Sequence, residues 1–132
     1  MPEDADDSRS DDSVEPDAPS ASVLYDPRSV EDLEEWGPVD KPIDGKSHTA
    51  GTILHRGPDG RSECGIWTCT PGLWTCEVTR DEFCHFLEGR ATYVHDDGEV
   101  IPIEPGTVAF FPAGWTGVCR VSGTVRKVYM IR

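Results

Sequence analysis

Hydrophobic and polar positions alternate in short runs along most of the chain. From residue 49 onward, runs of five to nine residues are rich in β-branched and aromatic side chains, and turn-forming Gly, Pro and Asp separate them. Nine such runs with no helical run between them predict an all-β fold over residues 49–132, an antiparallel sandwich or barrel. The runs are TAGTILHR, ECGIWTCT, LWTCEVT, EFCHFLEG, ATYVHD, EVIPI, TVAFFPAG, GVCRV and TVRKVYMIR.

The segment before these strands, residues 23–48, shows a different pattern. Ser29 is suited to cap a short helix, which Gly37 then ends. Three apolar residues repeat every three positions and make one stripe on that helix: Val30, Leu33 and Trp36. We therefore predict an N-terminal arm with a short helix over residues 29–36, in which Trp36 is interpreted as a packing residue.

Residues 1–22 form an acidic tail rich in Ser, Pro and Ala. The first twenty residues contain eight acids and one base, which accounts for −7 of the net charge of −13. Almost no large apolar residue is present, so the tail cannot bury enough surface to offset the entropy of ordering, and we predict that it is disordered. A solubilising leader is favoured over an interaction tail.

Charge and cysteine usage restrict the class of protein. An acidic chain without clustered Lys and Arg does not suit nucleic acid, and no apolar run approaches the roughly 18 residues that a membrane span needs. An acidic N-terminus is unlike a secretory signal, so a cytoplasmic location is predicted. Five dispersed cysteines without a CxxC pair indicate free thiols in a reducing compartment and do not favour a zinc site.

Strand periodicity assigns side chains to faces, because alternate residues of a strand point the same way. If Glu82 points into the barrel, Cys84 and Phe86 point inward as well, and His85 points outward with its neighbours. The same alternation gives three further pairs that share a face: Thr75 with Glu77, Gly117 with Cys119, and Lys127 with Tyr129.

Two segments carry a family resemblance. Residues 82–89 read EFCHFLEG, a glutamate followed after six residues by glycine, and residues 106–114 read GTVAFFPAG, a glycine followed after five residues by Pro-x-Gly. Separated by sixteen residues, they resemble the two motifs of the cupin superfamily. The stretches PGLWTCEVTRDEFCHFLEG, PAGWTG and VRKVYMI look like the (S)-ureidoglycine aminohydrolase-like subfamily of DUF861 type. The resemblance covers residues 50–131 and implies an RmlC-like jelly-roll β-barrel.

The resemblance also shows where this chain departs from a metal-binding cupin. Such cupins place a His-x-His pair before the glutamate and a third histidine after the Pro-x-Gly glycine. The corresponding positions here are Thr75, Glu77 and Gly117, so only Glu82 remains of four expected ligands. We therefore expect no metal cofactor, while a divalent cation held weakly by Glu77 and Glu82 stays open.

An inward carboxylate at Glu82 needs a partner, because burying an unpaired charge is costly. The closing strand offers Lys127, and Tyr129 has the same orientation. We hypothesise that Glu82 and Lys127 meet inside the barrel as a catalytic pair, with Glu77 and Tyr129 nearby. Burial is expected to move a lysine or glutamate pKa toward neutrality, which suits acid–base chemistry. The alternative is a structural ion pair that plugs the barrel.

Further residues complete the predicted site. Cys84 and Cys119 face inward, and packing is favoured over chemistry for both thiols. Trp67 and Trp115 are candidates for an aromatic pocket wall, with Trp115 at the mouth, and core or dimer packing is the equal alternative. The full predicted ligand-binding set is Trp67, Thr75, Glu77, Cys84, Trp115, Cys119 and Tyr129.

Two functions remain after these arguments. The first is a small-molecule-binding cupin, with enzyme activity left open, that acts on a small carboxylate, carbonyl or ureido compound through Glu82 and Lys127. The second is a non-catalytic ligand-binding or regulatory barrel, which the missing metal histidines fit well. The resemblance also implies a homodimer. The expected partner is thus a small molecule, with neither nucleic acid nor membrane involved.

Overall fold

The structure, a computed structural model, describes residues 18–132. The first part of the predicted tail, residues 1–17, lies outside the described residues, and residues 18–22 are exposed and without regular structure. The described chain consists of strands with no helix, which confirms the all-β prediction. Its nine strands are β1 (Glu34–Pro38), β2 (Pro42–Asp44), β3 (His48–Arg56), β4 (Glu63–Cys69), β5 (Gly72–Glu77), β6 (Glu82–His95), β7 (Val100–Ile103), β8 (Val108–Phe111) and β9 (Thr116–Ile131).

Two long strands, β6 and β9, form the spine of the sheet. They pair antiparallel from Glu82 opposite Ile131 to His95 opposite Gly117. The other edge of β9 pairs with β5 through its first half and with β4 through its second half. β7 and β8 pair with the other edge of β6. Since each spine strand borders three neighbours, the sheet curls around a common interior.

The interior follows from the two-residue period of the spine. On β9, the buried positions from Gly117 to Tyr129 are all odd-numbered, and on β6 Cys84 and Phe86 are fully buried. Phe86 and Tyr93 pack at 6.4 Å between ring centroids. Burying a side chain as large as Phe86 contributes about 2 kcal/mol, so this face of the spine supplies much of the stabilisation of the barrel.

The predicted short helix over residues 29–36 is wrong. Residues 30–33 have no regular structure, and Glu34–Pro38 is strand β1, which pairs with β3 from Glu34 opposite Gly51 to Pro38 opposite His48. Eight residues are fewer than the roughly 12 that an isolated helix needs in water. The edge of β3 instead offers hydrogen-bond partners to the backbone of residues 34–38, which therefore form a strand and not a helix.

The arm adds strands to the two ends of the sheet path. β1 extends the sheet beyond β3, and β2 pairs with β5. Within residues 18–132, the structure has no helix of the length and apolar character that a membrane crossing requires. The cytoplasmic location stays a prediction.

Candidate functional site

A cavity of about 510 Å³ lies inside the curled sheet. Its volume falls in the range of roughly 300–1,000 Å³ that is usual for small-molecule pockets. The aromatic residues of its walls are Trp36, Trp67, Trp74, Tyr93, Phe111 and Tyr129. Its charged residues are Asp40, Lys41, Glu63, Glu77, Arg80, Glu82 and Lys127.

Glu82 and Lys127 meet in this cavity as an ion pair. The ammonium of Lys127 donates to Oε2 of Glu82 at 2.6 Å, and the two side chains are 8% and 19% exposed in that order. The two residues come from the paired spine strands, where Glu82 begins β6 and Lys127 lies near the end of β9. The structure therefore brings together the two residues predicted as the central pair, while their chemical role stays a prediction.

The surroundings of Lys127 keep it charged. Its Nζ lies 4.3 Å from the centroid of the Trp67 ring and 5.7 Å from that of Phe86. Burial is the largest single effect and lowers the pKa of Lys127, but the charge and hydrogen bond of Glu82, together with the nearby Cys84 and Cys76, raise it by more in sum, so the net pKa lies above its ordinary value. The expectation that burial moves this lysine pKa toward neutrality is therefore wrong. Lys127 is a fixed cation at neutral pH.

A second carboxylate, which the sequence analysis missed, holds Tyr129. The phenol of Tyr129 donates to Oε2 of Glu63 at 2.7 Å, and the other oxygen of Glu63 accepts from Arg56 at 3.4 Å. Burial and the acceptor Glu63 together raise the pKa of Tyr129 well above its ordinary value. Glu63 is the first residue of β4 and pairs with Ile131 of β9, which follows Tyr129 by two residues. The contact between Glu63 and Tyr129 can therefore be seen only once the register of β4 and β9 is known.

Glu77 lies at the rim of the cavity and not in the barrel interior. It is half-exposed and pairs with Lys41 at 3.0 Å. The inward residues of β5 are its even-numbered ones, Trp74 and Cys76, both 9% exposed. Glu77 and Thr75 line the same cavity as Glu82 and Lys127, but Glu77 does so from the rim, and their part in ligand binding stays a prediction.

The inward thiols are protonated. Burial raises the pKa of Cys84 to about 12 and that of Cys76 to about 11, and in both cases the charge of Lys127 opposes the rise only in part. Cys84 lies beneath the ion pair, with its Sγ 3.3 Å from Oε2 of Glu82. Burial also raises the pKa of Cys119 to about 12, and this residue does not line the cavity.

Trp115 does not form the mouth of the cavity. It is 8% exposed and packs in an aromatic cluster, with ring centroids 5.1 Å from Phe111 and 6.1 Å from Tyr93. His95 lies against the same indole at 5.2 Å. Of the two tryptophans predicted to form the pocket wall, Trp67 lines the cavity and Trp115 belongs to the core.

The residues present do not fit the transition metal that metal-binding cupins hold. None of the described residues that line the cavity is a histidine, and the Glu82 carboxylate is already neutralised by Lys127. At Gly117, a Cβ atom would stand 2.2 Å from the carbonyl oxygen of Val94 and 2.8 Å from the Trp115 ring. No histidine can replace Gly117 without displacing the core. With Glu77 paired to Lys41 at the rim and Glu82 paired to Lys127, both carboxylates of the weak cation site that the sequence left open are already engaged by lysines.

Similarity to known proteins agrees with this geometry. The family model of the EutQ-like cupin domain matches residues 56–129, more than half of the chain. No curated protein sequence matches the chain.

Solved structures show the same fold. An ethanolamine utilization protein Q from Salmonella typhimurium LT2 is 25% identical over 64% of this chain and 68% of that chain, with a TM-score of 0.55. A DUF861 family protein of unknown function from Pseudomonas syringae pv. tomato is 21% identical over 81% of this chain, with a TM-score of 0.72. The match spans 46% of that longer chain. The EutQ protein of Clostridium difficile is 19% identical over 71% of this chain and 74% of that chain, with a TM-score of 0.57.

These matches confirm the jelly-roll β-barrel that the two sequence motifs imply. The motif glutamate of this fold is Glu82, which the present chain pairs with a lysine. From its motifs, its curled antiparallel sheet and its family match, the chain belongs to the cupin superfamily, as an EutQ-like cupin domain.

Proposed function

We propose that the barrel binds a small polar molecule that carries a carbonyl or ureido group, and that the Glu82–Lys127 pair is the binding group. The observation that supports this proposal is a buried donor and a partly buried acceptor side by side in an aromatic cavity. Lys127 offers N–H donors to a carbonyl oxygen, and Glu82 offers an acceptor to an adjacent N–H. Both hydrogen bonds are charge-assisted and hence stronger than neutral ones.

The charges of the cavity favour a neutral ligand over a free carboxylate. The lining contains four acids and three bases, so a ligand anion meets a slightly negative pocket. The one buried cation is already matched by Glu82. An amide or ureido group presents a carbonyl and an N–H without adding charge, and it therefore complements the pair better than a carboxylate does.

Binding without catalysis fits the protonation states best. A general base or nucleophile must be available in its deprotonated form near neutral pH. The Lys127 ammonium, the Tyr129 phenol and the thiols of Cys76 and Cys84 all have raised pKa values and keep their protons at neutral pH. The remaining group, the Glu82 carboxylate, is already held by the Lys127 ammonium at 2.6 Å, so the site offers a fixed donor and acceptor, which suits recognition more than proton transfer.

Titration with acetamide and methylurea, followed by NMR chemical shifts, tests the proposal. The test variant is E82Q/K127M, which removes both charges of the pair together, and the matched control is R90M/E104Q, which removes an exposed ion pair that does not line the cavity. We expect wild type and control to bind with dissociation constants within about twofold of each other, and the test variant to lose at least about tenfold. Equal affinity in all three proteins overturns the proposal.

The homodimer stays a prediction, and sedimentation velocity tests it. The surface to vary is an exposed apolar strip of three register-matched residues on β6, β8 and β9. These residues are Phe83 (49% exposed), Phe110 (59%) and Met130 (49%). If two copies of this chain associate through the strip, the F110E variant is expected to sediment as a monomer and the wild type as a dimer.

A further inference from the structure

One row of side chains crosses the inner face of the sheet from β1 to β9. Gly51 of β3 stands directly opposite Trp67 of β4, and Trp67 stands directly opposite Lys127 of β9. Gly51 contributes no side chain, and the indole of Trp36 from β1 covers its place. Two indoles, Trp36 and Trp67, therefore line the cavity along a row that ends at the ammonium of Lys127.

Two glycines make the position of Trp36 possible. A Cβ at residue 51 would stand 2.5 Å from the Cη2 and Cζ3 atoms of Trp36, so only glycine leaves room for the six-membered ring. β1 also contains a bulge, because Glu35 pairs with Ala50 and Gly37 with Thr49, which leaves Trp36 as the additional residue. Gly37 adopts a φ of 88°, a conformation that favours glycine. Bulges commonly re-aim a side chain next to a binding site.

The indole of Trp36 is held in place at its other end as well. Its Nε1 donates to the carboxylate of Glu34 at 3.3 Å, while the ring lies over Gly51 and lines the cavity. A ring fixed at both ends loses little conformational freedom when a ligand stacks on it. Trp74 adds a third indole, with its centroid 6.2 Å from that of Trp67 in an edge-on arrangement. The cavity thus has indole walls beside one donor–acceptor pair.

We propose that the ligand is a flat, conjugated ring with a carbonyl and an N–H side by side, that is, a planar cyclic amide or cyclic ureide. This inference rests on the proposed function and adds to it the shape of the ligand and a specificity-determining residue, Trp36. The ring plane stacks on the indoles, the carbonyl accepts from Lys127, and the N–H donates to Glu82. A planar ring gains stacking on Trp36 that a puckered ring of equal size does not.

Three compounds with the same six-membered ring skeleton separate the elements of this proposal. Uracil is flat and has a carbonyl beside an N–H. Dihydrouracil has the same polar groups on a puckered ring, and 1,3-dimethyluracil is flat but has no N–H. We expect uracil to bind with a dissociation constant on the order of 0.1–1 mM, and each of the other two to bind about tenfold more weakly.

Variants then assign the planarity preference to Trp36. In W36A, which removes a partly exposed ring from an edge strand, uracil is expected to lose about tenfold in affinity and dihydrouracil less than about twofold. W36F is expected to restore most of the preference, because phenylalanine keeps a flat face. F110A, on the outer face of the sheet, is the matched control and is expected to bind as wild type does.

The outcomes of the two proposals are distinguishable. If wild type binds uracil and dihydrouracil equally, or if W36A keeps the planarity preference, the inference on ring shape and on Trp36 is overturned while binding at the pair stands. If 1,3-dimethyluracil binds as tightly as uracil, the N–H contact with Glu82 is overturned as well, and the proposed function fails with it. If uracil, acetamide and methylurea all fail to bind wild type, or if E82Q/K127M binds them unchanged, the proposed function fails and the inference fails with it.

Discussion

The same two residue types form an ion pair twice in one cavity, in very different surroundings. Glu82 and Lys127 approach to 2.6 Å with side chains only 19% and 8% exposed. Glu77 and Lys41 approach to 3.0 Å with side chains 50% and 53% exposed. The comparison teaches that burial, and not residue type or distance, decides how much such a pair affects the free energy of unfolding. Water solvates and screens the charges of the rim pair, whereas the charges of the inner pair depend mainly on each other.

The position of each lysine in the sheet explains the difference. Lys127 lies in β9 with β4 on one side and β6 on the other, directly opposite Trp67 and Phe86. Lys41 lies in the connection between β1 and β2, where its ammonium reaches the rim from solvent. The spine therefore holds one cation inside the sheet before any ligand arrives, whereas the rim cation stays half-exposed to solvent.

The largest expected effect is on stability. E82Q leaves the buried ammonium of Lys127 without a counter-ion and is expected to lower the free energy of unfolding by about 3–5 kcal/mol. E77Q exposes an ammonium that water already solvates, and the expected loss is below about 1 kcal/mol. Urea denaturation of the two variants measures both values. Equal losses in the two variants contradict the distinction between an inner and a rim pair.

Removing both inner charges is expected to recover much of that loss. In E82Q/K127M no unpaired ion remains inside the barrel, so its free energy of unfolding should exceed that of E82Q by about 2 kcal/mol or more. E77Q/K41M should differ from E77Q by less than about 0.5 kcal/mol. A complete double-mutant cycle for each pair, measured by urea denaturation, gives the two coupling energies. A larger coupling at the rim than inside is the opposite result.

Alkaline pH is expected to act on the inner pair. Burial lowers the pKa of Lys127, but the Glu82 carboxylate and the neighbouring Cys84 and Cys76 together keep it above its ordinary value of 10.5. The stabilisation is therefore complete below pH 10.5 and is lost as pH rises through the folded-state pKa, at up to about 1.4 kcal/mol per pH unit. Urea denaturation between pH 9 and 11.5 should show a shallower decline for E82Q/K127M than for wild type. Buried thiols add a decline that both proteins share. Parallel curves count against a charged Lys127.

Raising the salt concentration is expected to give the smallest difference between the inner and the rim ion pair. Raising NaCl from about 0.05 to 1 M shortens the Debye length from more than 10 Å to about 3 Å and screens exposed charges. The coupling energy of the rim pair should fall from a few tenths of a kcal/mol to near zero, while that of the inner pair should change little. Repeating the double-mutant cycles at both salt concentrations measures this. An inner coupling that vanishes in salt indicates that water reaches Lys127 freely.

Strand periodicity was sufficient to place the inner pair on one face, because β6 and β9 keep a two-residue period through Glu82 and Lys127. Periodicity alone does not show whether the odd-numbered or the even-numbered residues of β5 point inward. The apolar residues Trp74 and Cys76 favour the even positions, and this signal was available in the sequence. The motif position instead suggested Glu77, which the structure places at the rim.

The contacts that the sequence missed depend on pairing between distant strands. Glu63 meets Tyr129 only because β4 pairs with β9 in one particular register. Trp36 lines the cavity only because β1 pairs with β3 and Gly51 leaves space for its ring. The three-residue spacing in residues 30–36 could not predict this strand pairing. The backbone groups of β3 that β1 binds lie about fifteen positions further along the chain, outside the segment in which the spacing was read.

The most direct test of the inner pair as the binding group observes the lysine ammonium groups themselves. The chain has three lysines, at positions 41, 46 and 127, so three side-chain ¹⁵Nζ signals are to be assigned. On titration with uracil at pH 7, the account predicts that the Lys127 signal has an ammonium shift and moves to saturation, while the signals of Lys41 and Lys46 stay in place. A Lys127 signal that does not move while Lys41 responds, or one with the shift of a neutral amine, contradicts the account.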